Sequence, residues 1–160
     1  MSHDYVLDTF GRFRKRKTRF TELEKDAVAL LNSFVEGSMD EREFAKDFDE
    51  IRRRHIELMG GVIDEDTPLW LNSLLGGHFM KWCTFQEMKW YFEAHPEELV
   101  GETKIKYEEI LRMKYHERFV SVCKSVLIEL KKVEEEHRKE KKLWYRFWQV
   151  LRGWCRRGKS

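Results

Sequence analysis

Amides are nearly missing from this chain. Asn32, Asn72, Gln86 and Gln149 are the only four in 160 residues. Such economy with heat-labile side chains is a habit of heat-adapted proteins, whereas a proline count of two, Pro68 and Pro96, points the other way. The three cysteines, Cys83, Cys123 and Cys155, are odd in number and far apart. That excludes a disulfide framework and favours a reducing, cytoplasmic setting. The longest run free of Asp, Glu, Lys and Arg, Thr67 to Met80, is too short for a membrane span and is interrupted by Gly76-Gly77. The N-terminus turns from polar to basic without the apolar core of a secretory signal. A soluble protein is expected.

Chemical motifs are equally sparse. Gly60-Gly61 and Gly76-Gly77 lack the context of a phosphate-binding loop. No Cys-x-x-Cys or His-Glu-x-x-His occurs, and Glu134-x-x-His137 is only half of a di-iron helix motif in a segment polar all round. His78, Cys83 and His95 lie close in sequence, but a Cys–His nucleophile needs spatial pairing and a third orienting group, which spacing does not supply. The expectation is a protein that is not an enzyme and has no catalytic residue, metal or cofactor.

Charge is what the chain has in abundance, 38% of its residues, and it is segregated. Residues 1–19 carry a net +4, residues 20–137 carry −10 and residues 138–160 carry +8. An acidic body with two basic ends can meet phosphates, an anionic membrane or an acidic protein, or fold its ends back on itself. Residues 1–20 read as a basic arm, with Arg12, Arg14, Lys15, Arg16, Lys17 and Arg19 interleaved with Phe10, Phe13 and Phe20.

Helical periodicity then takes over, so the body at 21–133 is expected to be an all-α bundle of about five helices. Thr21-Glu22-Leu23-Glu24 reads as a capping box opening a helix with Leu23, Ala27, Leu30, Leu31, Phe34 and Val35 inward. Gly37 supplies a stop. Ser38-Met39-Asp40-Glu41 reads as a second box, opening a helix that buries Phe44, Phe48, Ile51, His55 and Leu58 and ends at Gly60-Gly61. These two should form an antiparallel hairpin, with Arg52, Arg53 and Arg54 solvated or paired and His55 a core histidine. Thr67-Pro68 starts a short helix that Gly76-Gly77 should break, and Thr84-Phe85-Gln86-Glu87 reads as a third box. The stretch Glu102 to Arg152 holds neither glycine nor proline. It divides into an apolar-faced core helix up to Val133, a solvated bridge at 134–142 and an aromatic, basic end.

That end is the most informative segment. Trp144, Phe147, Trp148, Leu151 and Trp154 fall on one side of a helix, with Arg146, Arg152 and Arg156 largely on the other and Arg157 following. Three roles compete for residues 134–160. The segment packs onto the body, docks on a partner protein or a second copy, or lies on an anionic membrane or nucleic acid. The aromatic side chains are the partner-binding candidates. Arg12, Arg14, Lys15, Arg16, Lys17, Arg146, Arg152, Arg156 and Arg157 are the candidates for phosphate contact.

The run Leu31-Asn32-Ser33-Phe34-Val35-Glu36-Gly37-Ser38-Met39-Asp40-Glu41-Arg42-Glu43-Phe44, continuing to Arg52-Arg53-Arg54, resembles the opening of colicin D immunity-like proteins. The likeness covers residues 27–133. It implies a small helical bundle that blocks a tRNA-cleaving toxin with an acidic surface. The basic arm and the Trp-rich end depart from that pattern. The overall expectation is a non-enzymatic protein that binds another protein or itself through aromatic helical surfaces. Nucleic-acid or membrane binding through the basic ends and toxin inhibition are the alternatives.

Overall fold

The computed structural model describes the backbone of residues 5–7, 13–15 and 18–157, and the side chains of residues 18–139, 142, 143, 145 and 146. The fold is all-α apart from a small ribbon in which β1 (Tyr5–Leu7) pairs antiparallel with β2 (Phe13–Lys15), Val6 opposite Arg14. The helices are α1 (Thr21–Val35), α2 (Glu41–Met59), α3 (Leu69–Ser73), α4 (Met80–Ala94), α5 (Gly101–Arg112) and α6 (Tyr115–Arg157). A π-helical segment, Leu74–Phe79, joins α3 to α4, and a short 3₁₀ turn, Pro96–Glu98, follows α4. The chain divides into two compact units, Met1–Leu127 and Ile128–Ser160. No described helix is long and apolar enough to cross a membrane.

The α1–α2 hairpin forms as its sequence dictates, with its caps displaced. Thr18 and Thr21, not Thr21 and Glu24, make the reciprocal box. The Thr18 hydroxyl accepts from the Phe20 N–H (3.1 Å), and Thr21 Oγ1 accepts from the Thr18 N–H (3.0 Å). Glu24 is instead drawn inward, its carboxylate accepting from Trp70 Nε1–H at 2.8 Å. At the other end Gly37 takes a left-handed φ of +72°, the Ser38 N–H reaches Ser33 O and the Gly37 N–H reaches Phe34 O. That is the double closure of a Schellman turn. Ser38 is consumed by this stop, so Asp40 caps α2, accepting from the Arg42 and Glu43 N–H groups.

The two helices meet through rings. Phe34 stacks on Phe44 with centroids 4.0 Å apart, and Phe44 on Phe48 at 5.0 Å. Phe79 and Trp82 close over them, and Phe119 of α6 stacks on Trp82 at 5.0 Å. This cluster is the core of the first unit. The three consecutive arginines stay outside and paired, Arg52 with Asp49, Arg53 with Glu50 and Glu57, and Arg54 with Asp26. His55 is a core residue, 2% exposed, against the Phe20 ring. Its Nε2–H donates to Asn72 Oδ1 at 3.1 Å, and its Nδ1 meets no hydrogen-bond partner among the described residues.

Two further expectations fail between Leu69 and Ala94, and for one physical reason. Gly76-Gly77 does not break the chain, because helical structure continues from Leu69 to Ala94. Two glycines cost a helix about 2 kcal/mol together. Burying Leu71, Leu74, Leu75, Phe79 and Trp82 on that one face returns several times as much, at about 1.5–3 kcal/mol each. Thr84 therefore sits inside α4, its hydroxyl donating to Met80 O at 2.9 Å, and caps nothing.

The long stretch after Glu102 is interrupted, and at an unexpected place. Lys114 takes a left-handed φ of +52°, ending α5 and starting α6. Helix α5 buries no residue, and Ile105 and Leu111, expected on a core face, are exposed. Tyr107 holds it to Phe92 of α4, ring centroids 5.0 Å apart. The buried line on α6 within the first unit is Phe119, Cys123 and Leu127.

In the second unit residues 134–142 are helical. Val133 is buried, Glu134 pairs with Arg138 as its spacing implies, and Leu143 and Tyr145 are two-thirds exposed.

Candidate functional site

The first unit has a built depression, and its residues share one register. On the first helical stretch His78, Lys81 and Trp82 follow i, i+3, i+4, with Phe85 at i+7. On α6 Tyr115, Arg118, Phe119 and Val122 follow the same spacing. Such positions share one helix face, so both helices place a cation beside an aromatic ring.

His78, Lys81, Trp82, Tyr115, Arg118, Phe119, Ser121 and Val122 line a hollow of about 480 Å³. An adjoining hollow of about 400 Å³, sharing Lys81 and Tyr115, is lined by Met80, Thr84, Phe85, Met88 and Ile110. The rings of Trp82 and Phe119 form the floor, being almost wholly buried, while His78, Lys81 and Arg118 stand exposed.

The π segment positions the near end. Leu75 and Phe79 point inward, and between them Gly76, Gly77 and His78 bulge to solvent. A π turn is rare and is found disproportionately at functional positions. Here it carries the histidine at the mouth of the hollow.

A buried polar network supports the floor from behind. Gln86, with no exposure, has its amide orientation set by its neighbours. Its Oε1 accepts from Trp82 Nε1–H (3.1 Å) and from His116 Nδ1–H (3.1 Å), and its Nε2 donates to Glu41 Oε2 (3.2 Å). Glu41 Oε1 lies 3.5 Å from His116 Nδ1. Three helices, α2, α4 and α6, are thereby pinned by hydrogen bonds that fix the Trp82 indole, which limits how far the floor can yield.

Most of the residues singled out in the sequence lie elsewhere. His78 lines the hollow, whereas Cys83 is half-buried with Asp49, Arg52 and Glu87 as its charged neighbours. His95 stands against the Tyr91 ring and 3.5 Å from Glu97. No nucleophile pair results. Burial, reinforced by Glu87 and Asp49, pushes the Cys83 thiol up to about 12, and burial does the same to Cys123. Neither is a thiolate at neutral pH.

His95, Glu97 and Glu98 bring potential metal-ligand atoms within 4.8 Å of one another at the surface. Glu98 already accepts from the Tyr91 hydroxyl at 2.7 Å.

Trp144, Phe147, Trp148, Leu151, Trp154, Arg152, Arg156 and Arg157 fall on helical backbone of α6, but their side chains lie outside the described residues. The same holds for Arg14 and Lys15 in β2, while Arg12, Arg16 and Lys17 are outside the described residues altogether. Arg146 is exposed.

Sequence reading missed the hollow because its two walls are more than thirty residues apart. The signal was there as a repeated spacing of ring and cation on two helices. Compared with known protein families, with curated proteins and with solved structures, the chain matches none.

Proposed function

We propose that this chain is a non-enzymatic interaction protein of the cytoplasm, a bundle of about five helices ending in a long one, that binds another protein or itself through the aromatic face of that last helix. The observation that carries this reading is the exposure of Leu143, two-thirds uncovered on a helix that continues through Trp144, Trp148 and Trp154, with Tyr145 on the flank equally exposed. An amphipathic helix with bulky apolar anchors seeks a groove or a second helix. Supporting it, the two described thiols are unreactive at neutral pH, which weighs against cysteine chemistry. A toxin-blocking role, as the early hairpin's resemblance implies, would be one form of the same protein binding.

Exposed Lys142 and Arg146 beside those apolar residues favour a second reading, contact with nucleic acid or an anionic membrane. Light scattering of the full chain at low and high salt, with and without heparin, separates them. Association through apolar anchors should persist at high salt and be abolished in a Leu143→Glu, Tyr145→Glu double variant. A chain that stays monomeric, and holds heparin only at low salt, would replace the first reading with the second.

A further inference from the structure

We propose that the paired hollow between α4 and the α5–α6 corner is a binding site for a single-headed anionic amphiphile, a long-chain carboxylate. Its carboxylate would lie between Lys81 and Arg118 and its chain would run toward Met80, Phe85, Met88 and Ile110.

The charge distribution carries this. Lys81 and Arg118 meet no carboxylate among the described residues, and no Asp or Glu lines either hollow. Among the described residues other exposed cations, such as Lys46, Lys104 and Lys124, also meet no carboxylate, so what sets Lys81 and Arg118 apart is that they line the same hollow. Two cations facing an aromatic floor without a counter-ion leave a place for an anion, and the planar fork of Arg118 matches a carboxylate.

Polarity along the trough narrows the class. All three cation-capable side chains, His78, Lys81 and Arg118, sit in the first hollow, with the hydroxyl-bearing Tyr115 and Ser121. Beyond the shared Lys81 and Tyr115, the second hollow adds two methionines, a phenylalanine and an isoleucine, with Thr84 as its one further polar member. An acidic peptide would call for cations along the whole trough. A head-and-tail molecule calls for them at one end.

Size agrees. The hollows, about 480 and 400 Å³, are each within the range of small-molecule sites. From His78 to Met88 the helix advances about 15 Å. Methionines suit a flexible chain because their own side chains adapt. Glu41, Gln86 and His116 act at one remove, as positioning residues that hold the Trp82 floor.

Calorimetric titration of the full chain with dodecanoate tests this, against dodecanol, dodecyltrimethylammonium, acetate and an acidic amphipathic peptide. Dodecanoate should bind saturably at one site, and dodecanol and the cationic amphiphile at least about 10-fold more weakly. Lys81→Glu and Arg118→Glu should each weaken dodecanoate by about 10-fold or more. Met88→Asp should weaken it without restoring preference for the alcohol, and Lys104→Glu, on exposed α5, should leave it unchanged. Circular dichroism confirms that each variant is folded, and Lys81→Gln with Arg118→Gln repeats the test without reversing charge. Equal binding of dodecanoate and dodecanol, no effect of either charge reversal, or saturable binding of the peptide alone would overturn the assignment.

Discussion

Helices α2 and α5 belong to the same unit and are held in opposite ways. Helix α2 is capped by the Asp40 carboxylate, closed by Gly60 in the left-handed region and anchored by Phe44, Phe48, Ile51 and His55, spaced four, three and four. Helix α5 has no side-chain cap, buries nothing and is closed by Lys114, a residue with a Cβ in a conformation that favours glycine. The apolar content of α5 is real, but Ile105, Ile110 and Leu111 do not fall on one continuous stripe. What separates the helices is registration of apolar residues with the helical period, together with end signals.

The comparison can be broken by substitution. Phe44→Ala removes a fully buried ring that contacts Phe34, Phe48 and Trp82, and should cost about 3–5 kcal/mol in urea denaturation. Leu111→Ala on α5 should stay within about 0.5 kcal/mol. Equal losses would mean that α5 is anchored far better than its exposure implies.

A pH test probes the α2 core next. Burial holds His55 below its ordinary value of 6.5, with the Asn72 contact opposing it. As pH falls, the unfolded chain takes up the proton first. The stability tied to His55 is therefore whole above about pH 6.5 and declines as pH falls through the folded value. The urea midpoint should drop between pH 7.5 and 6, and His55→Gln should flatten that drop.

Caps come third. Asp40→Ala should cost about 1 kcal/mol, since two N–H groups of the first turn lose their acceptor. The smallest effect is a gain at the other helix. Lys114→Gly should relieve left-handed strain and raise stability by about 0.5 kcal/mol, read as a small rise in thermal midpoint.

How much of this was legible follows the same division. The α1–α2 hairpin could be read because its stop and its stripes are local: Gly37, Gly60, and Phe44 through His55. Its caps slipped by two or three residues because Ser38 and Glu24 were claimed by other partners, Ser33 O and Trp70, which periodicity does not reveal. Gly76-Gly77 and Thr84 misled because local propensity lost to burial of the Leu71–Trp82 face. Lys114 was invisible, since nothing about a lysine announces a left-handed turn. The hollow and the Glu41–Gln86–His116 network were unread because they join residues from separate helices.

The π turn has a consequence for the length of the chain. Deleting one residue from an α-helix normally rotates everything after it by about 100° and throws its buried face outward. A π turn closes on one residue more than an α turn, so Leu74–Phe79 already holds a surplus. Removing Gly76 or Gly77, where even an added Cβ would face open space, would let this stretch close as ordinary α-helix with Leu71 and Trp82 still facing inward. The first unit should therefore tolerate a shorter chain at this point, at the expense of the bulge that presents His78.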